Sequence, residues 1–149
     1  MTPTPQLRED IHAQSARHTV IADACALTPA QMNEICSIFY HELLRRHPAL
    51  QSYFADVALC RQATKLSSAI QLMFDYIRDP QRLGCVVVRV GTSHLGRRIG
   101  SAEYAEFIDV LADVLSRSQS RIPAEEARLI WMKELEPIVE LMAIVSSEQ

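Results

Sequence analysis

Three features of the sequence predict an all-α fold. Glycine occurs only four times in 149 residues, and neither Asn-Gly nor Asp-Gly is present, so the turns that tight β-hairpins need are scarce. Apolar residues recur at spacings of three and four along most of the chain, which is the period of a helix buried on one face. Helix-start signals head these stripes. Thr28-Pro29 is followed by Gln31, and Pro123 by Glu125 and Glu126.

Composition narrows the class further. A chain of 149 residues suits one domain with a real core. It is 48% hydrophobic, with a formal charge of -3 and a pI near 5.9, which leaves no basic footprint for nucleic acid and no positive surface for anionic lipid. No apolar run approaches the ~20 residues of a membrane span. The opening MTPTPQLRED lacks the apolar centre of a signal peptide, so a soluble, cytoplasmic protein is expected. Cys25, Cys36, Cys60 and Cys85 form no CxxC pair and no zinc-type cluster, which predicts reduced core thiols.

The elements follow in order. Residues 1–6 read as a frayed lead and residues 7–149 as a single domain. Leu7, Ile11, Ser15, His18 and Ala22 fall at helical spacing and predict a first helix of modest amphipathicity. Behind the Thr28 cap, Met32, Ile35, Cys36, Phe39 and Leu43 form the stripe of a second helix. His47-Pro48 ends it, because the residue before proline avoids the helical region, and a short helical turn then leads to Phe54. Leu59, Gln62, Ala63, Leu66, Ala69, Ile70, Met73 and Ile77 give the next helix an apolar face with Gln62 as its polar member. Asp79-Pro80 closes that helix. The segment after it holds four valines (Val86, Val87, Val88, Val90) and fits a buried strand as well as a helix. Tyr104, Phe107, Ile108, Leu111, Val114 and Leu115 make the stripe of the following helix, and SRSQSR is a polar connector. The last helix carries Ala127, Ile130, Trp131, Leu135, Ile138, Leu141, Met142 and Val145, with Pro137 inside it as an expected kink.

His94 is the candidate metal ligand. It follows the valine run and precedes Gly96, Arg97, Arg98, Ile99 and Gly100, a glycine-bounded cationic corner that stops a helix. A neutral imidazole at such an end can bind a metal through one nitrogen while the other donates to a carbonyl. A lone histidine is otherwise more often a surface or core residue. Ile99 lies five residues beyond His94 and Tyr104 ten, and Tyr104 opens a core helix.

This arrangement resembles the proximal heme segment of globins, and most of all the globin domain of bacterial flavohemoglobins and their single-domain relatives. The resemblance runs over nearly the whole chain. Phe39-Tyr40, His47-Pro48 and Phe54 look like the second and third helices leading to the phenylalanine that packs on heme. Gln62 and Leu66 look like the distal glutamine and leucine, and Leu66 precedes His94 by the twenty-eight residues that the family spacing implies. Trp131 stands where the last helix often carries tryptophan.

The resemblance implies a three-over-three helical sandwich holding heme b through His94, with Tyr104 supporting the ligand from behind. Phe54, Leu66, Val90, Ile99 and Phe107 would wall a dry slot for the macrocycle. Tyr40 and Gln62 would donate hydrogen bonds to a diatomic ligand whose outer atom carries partial negative charge. The residues alone also allow Tyr40 to fill a helix interface and Gln62 to be solvated. Arg97 and Arg98 fit heme propionates or a solvated turn equally well, and His12, His18, His41 and His47 read as surface residues.

O2, NO and CO are the ligands implied, with a separate flavin reductase and a second copy of the chain as macromolecular partners. The activities implied are oxygen binding and transport, or NO dioxygenation with an external reductase, the alternative being the gas-sensor domain of a signalling protein. Three departures stand out, one being a corner between Phe54 and Gln62 that is about two residues shorter than the family pattern implies. The flavohemoglobin glutamate near the end of the last helix falls close to Ser146, with Glu148 the nearest acid, and Ser93 stands where lysine is frequent. No reductase module or dinucleotide fingerprint occurs in the sequence.

Overall fold

Five α-helices and one 3-10 helix are found in the computed structural model, which describes residues 2, 4–54, 58–79 and 101–147, the backbone alone at 76, 101 and 141–147. Helix α1, Pro5–Cys25, starts on Thr4, whose hydroxyl oxygen accepts from the Leu7 N–H at 3.2 Å. Its first residue therefore lies inside the stretch expected to fray. Helix α2, Pro29–Arg46, opens with the capping box that its sequence spells. The Gln31 N–H donates to Thr28 Oγ1 at 3.1 Å and the Thr28 N–H donates to Gln31 Oε1 at 2.8 Å. It stops at His47, ahead of Pro48, and the 3-10 helix Pro48–Phe54 follows. Helices α3, Leu59–Arg78, α4, Ser101–Arg117, and α5, Ala124–Ser147, complete the order. No strand occurs among the described residues, and none of their helices is long and apolar enough to cross a membrane.

Helices α4 and α5, joined by residues 118–123, share the most extensive interface. Helix α2 packs on α3, α4 and the 3-10 helix, so it is the hub of the domain, and α1 lies against α5 and α3. The α2 stripe is buried as its spacing predicts, with Met32, Cys36 and Phe39 fully enclosed. Trp131 of α5 is also fully enclosed. It stacks on Phe74 of α3 at a centroid separation of 5.4 Å and donates its Nε1–H to Gln119 Oε1 at 3.1 Å. Gln119 in turn donates to the Val20 carbonyl at 2.6 Å, so a residue of the polar connector bridges α5 and α1.

Two expectations need correction. Leu7, Ile11, Ser15, His18 and Ala22 face solvent, and α1 instead buries Ala16, Val20, Ile21 and Ala24. Small and β-branched side chains let α1 lie close to its neighbours, whereas the spacing of the larger residues marked the wrong face. Cys60 is exposed in the first turn of α3 rather than in the core, and Cys25 is half-buried. Cys85 and the valine run, whether strand or helix, lie outside the described residues. Pro137 sits inside α5, which continues past it to Ser147.

Candidate functional site

The site begins at the C-terminal half of α2. Successive helical residues point about 100° apart, so Phe39 and Tyr40 reach different neighbours. Phe39 meets Phe107 of α4 edge-on at 4.7 Å between centroids. Tyr40 meets Phe54, the last residue of the 3-10 helix, edge-on at 5.5 Å, and the two α2 rings lie 5.1 Å apart. Edge-to-face contacts of this kind set ring planes as well as fill volume. Three elements thus meet in one aromatic cluster, with Tyr40 buried and Phe54 and Phe107 half-buried.

Across the α2–α3 interface, Gln62 and Leu66 occupy one face of α3, 7% and 6% exposed. Gln62 is not a solvated residue. Among the described residues the buried side-chain polar atom left without a hydrogen-bond partner is Asn33 Oδ1 of α2. Tyr104 is buried on the first turns of α4. A buried phenol, a buried glutamine, an aliphatic residue one turn from it and two half-buried phenylalanines are thus carried by α2, α3, the 3-10 helix and α4.

The family model described as Globin matches residues 37–142. The chain belongs to the globin family. Its fold is the all-α globin fold, and membership carries heme-based binding of gaseous ligands such as O2. No curated protein is detectably similar to the chain. The match takes in Phe39-Tyr40, Phe54, Gln62, Leu66, Tyr104 and Phe107, whereas α1 precedes it.

The residues fit the group that the family implies. Tyr40, Gln62, Leu66, Phe54, Tyr104 and Phe107 belong to packed or adjoining elements. Val90, His94 and Ile99, together with Arg97 and Arg98, lie outside the described residues. Among the described residues no three potential metal ligands cluster.

Several residues carry more than their sequence context suggested. Phe74 completes the α3 stripe, four residues after Ile70 and three before Ile77, a spacing that could have revealed it. His47 is half-buried, its Nδ1 3.7 Å from Glu106 Oε1. His12 bonds Glu126 at 3.0 Å. Arg46 donates to Asp113 Oδ2 at 2.6 Å, and that bond holds its guanidinium above the usual range despite the opposing effect of burial. The hydrogen bond from Arg45 lowers the Glu42 carboxyl. Burial pushes the Cys36 thiol up to about 12, which keeps it protonated and inert. Two cavities border α1, one of about 580 Å³ against the end of α3 and one of about 300 Å³ against α5, and neither is lined by Tyr40, Gln62 or Leu66.

Proposed function

We propose that this globin carries heme b on His94 and binds O2, NO and CO reversibly beneath Tyr40 and Gln62. The observation that carries this reading is the match of the Globin family model over residues 37–142, joined to the edge-on contact of the buried Tyr40 ring with Phe54. When bound, the heme supplies a ferrous iron that accepts a diatomic gas. The chain's own residues do the rest. Tyr40 and Gln62 donate to the polar end of the gas, Phe54, Leu66 and Phe107 exclude water from it, and Tyr104 backs the His94 side. Donors in a dry pocket act more strongly than in water, so they set the residence time of the ligand.

Oxygen binding and transport follow directly from that chemistry. The same donors suit the reaction of nitric oxide with dioxygen and one electron to give nitrate, the electron coming from a separate flavin reductase. A gas-sensing role would use the same binding event. A reducing, cytoplasmic setting is the reading that the cysteine spacing in the sequence supports.

The test is the absorption spectrum of the purified protein, reduced and with carbon monoxide. Wild type is expected to give the carbonyl heme band, and His94→Ala to lose most of its heme along with the stability that a folded-state ligand adds. Tyr40→Phe is expected to speed dioxygen release roughly tenfold or more, since a hydrogen bond to a partly charged acceptor is worth about 1.5–3 kcal/mol. Unchanged heme content in His94→Ala would reject the assignment of the ligand.

A further inference from the structure

The 3-10 helix carrying Phe54 has little of its own to hold it. It is a seven-residue element whose hydrogen-bond geometry is intrinsically poorer than that of an α-helix, and Leu50 is its buried residue. Yet Phe54 at its end is the ring that rests edge-on against Tyr40. Helix α2 packs on it, and α4 adds two polar contacts from the other side. The Tyr53 hydroxyl donates to Glu103 Oε1 at 3.3 Å, and one turn further along the same face Glu106 approaches His47 at the other end of the short helix. Burial, and then the Glu103 carboxylate, raise the Tyr53 phenol above its usual range, so the hydroxyl remains a donor across the working pH. Glu103 is also the residue before Tyr104, the buried tyrosine at the start of α4. One hydrogen bond between residues 50 apart in sequence therefore ties the wall of the gas pocket to the first turn of α4.

We propose that Tyr53, through Glu103, is a positioning residue that latches Phe54 onto Tyr40 and so sets how long the gas ligand stays. This rests on the gas-binding reading above. Opening the latch lets the 3-10 helix move away from α4, frees the Phe54 ring from the Tyr40 edge and lets the Tyr40 phenol leave its donating orientation. Tyr53 touches no ligand and acts only through Phe54.

The experiment compares wild type, Tyr53→Phe and Glu103→Gln. Tyr53→Phe keeps the ring and removes the donor, whereas Glu103→Gln keeps an oxygen acceptor and serves as the conservative control. Hydrogen exchange of peptides covering residues 48–54 is measured on the protein as purified. Dioxygen dissociation and the C–O stretching band of the carbon monoxide form are measured on the heme-loaded protein. Tyr53→Phe is expected to raise exchange in 48–54 roughly threefold to tenfold, the population change for one lost hydrogen bond, while α5 is unchanged. It is also expected to speed dioxygen release several-fold and to broaden or split the C–O band, and Glu103→Gln is expected to stay near wild type in all three. Unchanged exchange in Tyr53→Phe overturns the latch. So does faster exchange with an unmoved off-rate and C–O band, which reduces Tyr53 to a structural role. A wild-type protein with no carbonyl band overturns the gas-binding reading, and with it any role of Tyr53 toward a ligand. A normal wild-type band with indifferent variants overturns the latch alone.

Discussion

Helices α1 and α3 have nearly the same length, 21 and 20 residues, and are held to the domain in opposite ways. Helix α3 buries residues along its whole course, from Gln62 and Ala63 through Leu66, Ile70 and Met73 to Phe74 and Ile77. Helix α1 buries nothing before Ala16, and Leu7 and Ile11 remain about half exposed, at 49% and 55%. Polar contacts compensate on α1. Arg17 pairs with Glu134, Asp23 with Arg121, His12 with Glu126, and the Val20 carbonyl accepts from Gln119. The α3 interface excludes water and is worth about 25 cal/mol per Å² of apolar area removed from it. The α1 ion pairs each keep at least one partner exposed to water, which screens them. A polar residue means different things in the two settings. On α1 it fastens a helix to the surface, whereas Gln62 on α3 is retained inside an apolar interface, where stability alone disfavours it.

The sharpest way to break the α3 side is at its stack on α5. Trp131→Ala should cost about 3–5 kcal/mol, because it removes a fully buried ring, opens a cavity against Phe74 and strands the Gln119 carbonyl oxygen. Urea unfolding of the heme-free protein measures it, and a loss below about 1 kcal/mol would mean that this interface is not the anchor. Gln62→Leu should act in the reverse direction. Stability of the heme-free protein should rise by no more than about 1 kcal/mol as a polar side chain on an apolar face is replaced by one suited to its surroundings, while dioxygen release speeds up. If the heme-free protein instead loses stability, the amide has a structural partner and its functional reading fails.

On the α1 side the effects should be small. Ile11→Ser should change stability by no more than about 0.5 kcal/mol, since its side chain contributes to no described core. The Asp23–Arg121 pair sharpens the contrast through pH. The hydrogen bond from Arg121, more than its charge, holds the Asp23 carboxyl below the usual range. A carboxyl lowered in the folded state stabilises above its unfolded value of about 3.9, and that contribution disappears as pH falls through the folded value. The difference in thermal midpoint between wild type and Arg121→Ala should therefore be small and positive near neutral pH and vanish in acid below the folded value. A difference that persists in acid would show that Arg121 acts through packing rather than charge.

Local signals in the sequence account for much of this architecture. Thr28, Pro29 and Gln31 place the start of α2, His47-Pro48 its end, and the three-and-four spacing of Met32, Ile35, Cys36, Phe39 and Leu43 its buried face, because each depends on residues within a turn or two. The positions of Tyr40 and Gln62 on α2 and α3 were legible from order and spacing, and the donor roles proposed for them come from the family resemblance. That Gln62 is buried was not, since a glutamine on an apolar stripe is compatible with either side until a second helix covers it. The buried face of α1 was also illegible. Its large residues mark one stripe, yet close approach to α5 selects the small residues of another. The Tyr53–Glu103 bond and the bridge from Trp131 through Gln119 to Val20 join residues far apart in sequence, and no periodicity encodes such pairs. By itself the sequence determined which of the described segments are helical, where α2 is capped and that the chain is a globin, because those properties are local or ordered along the chain. Only the tertiary structure decided which face of α1 is covered, whether Gln62 is dry and what holds Phe54 against Tyr40, because burial and long-range hydrogen bonds exist only once separate elements meet.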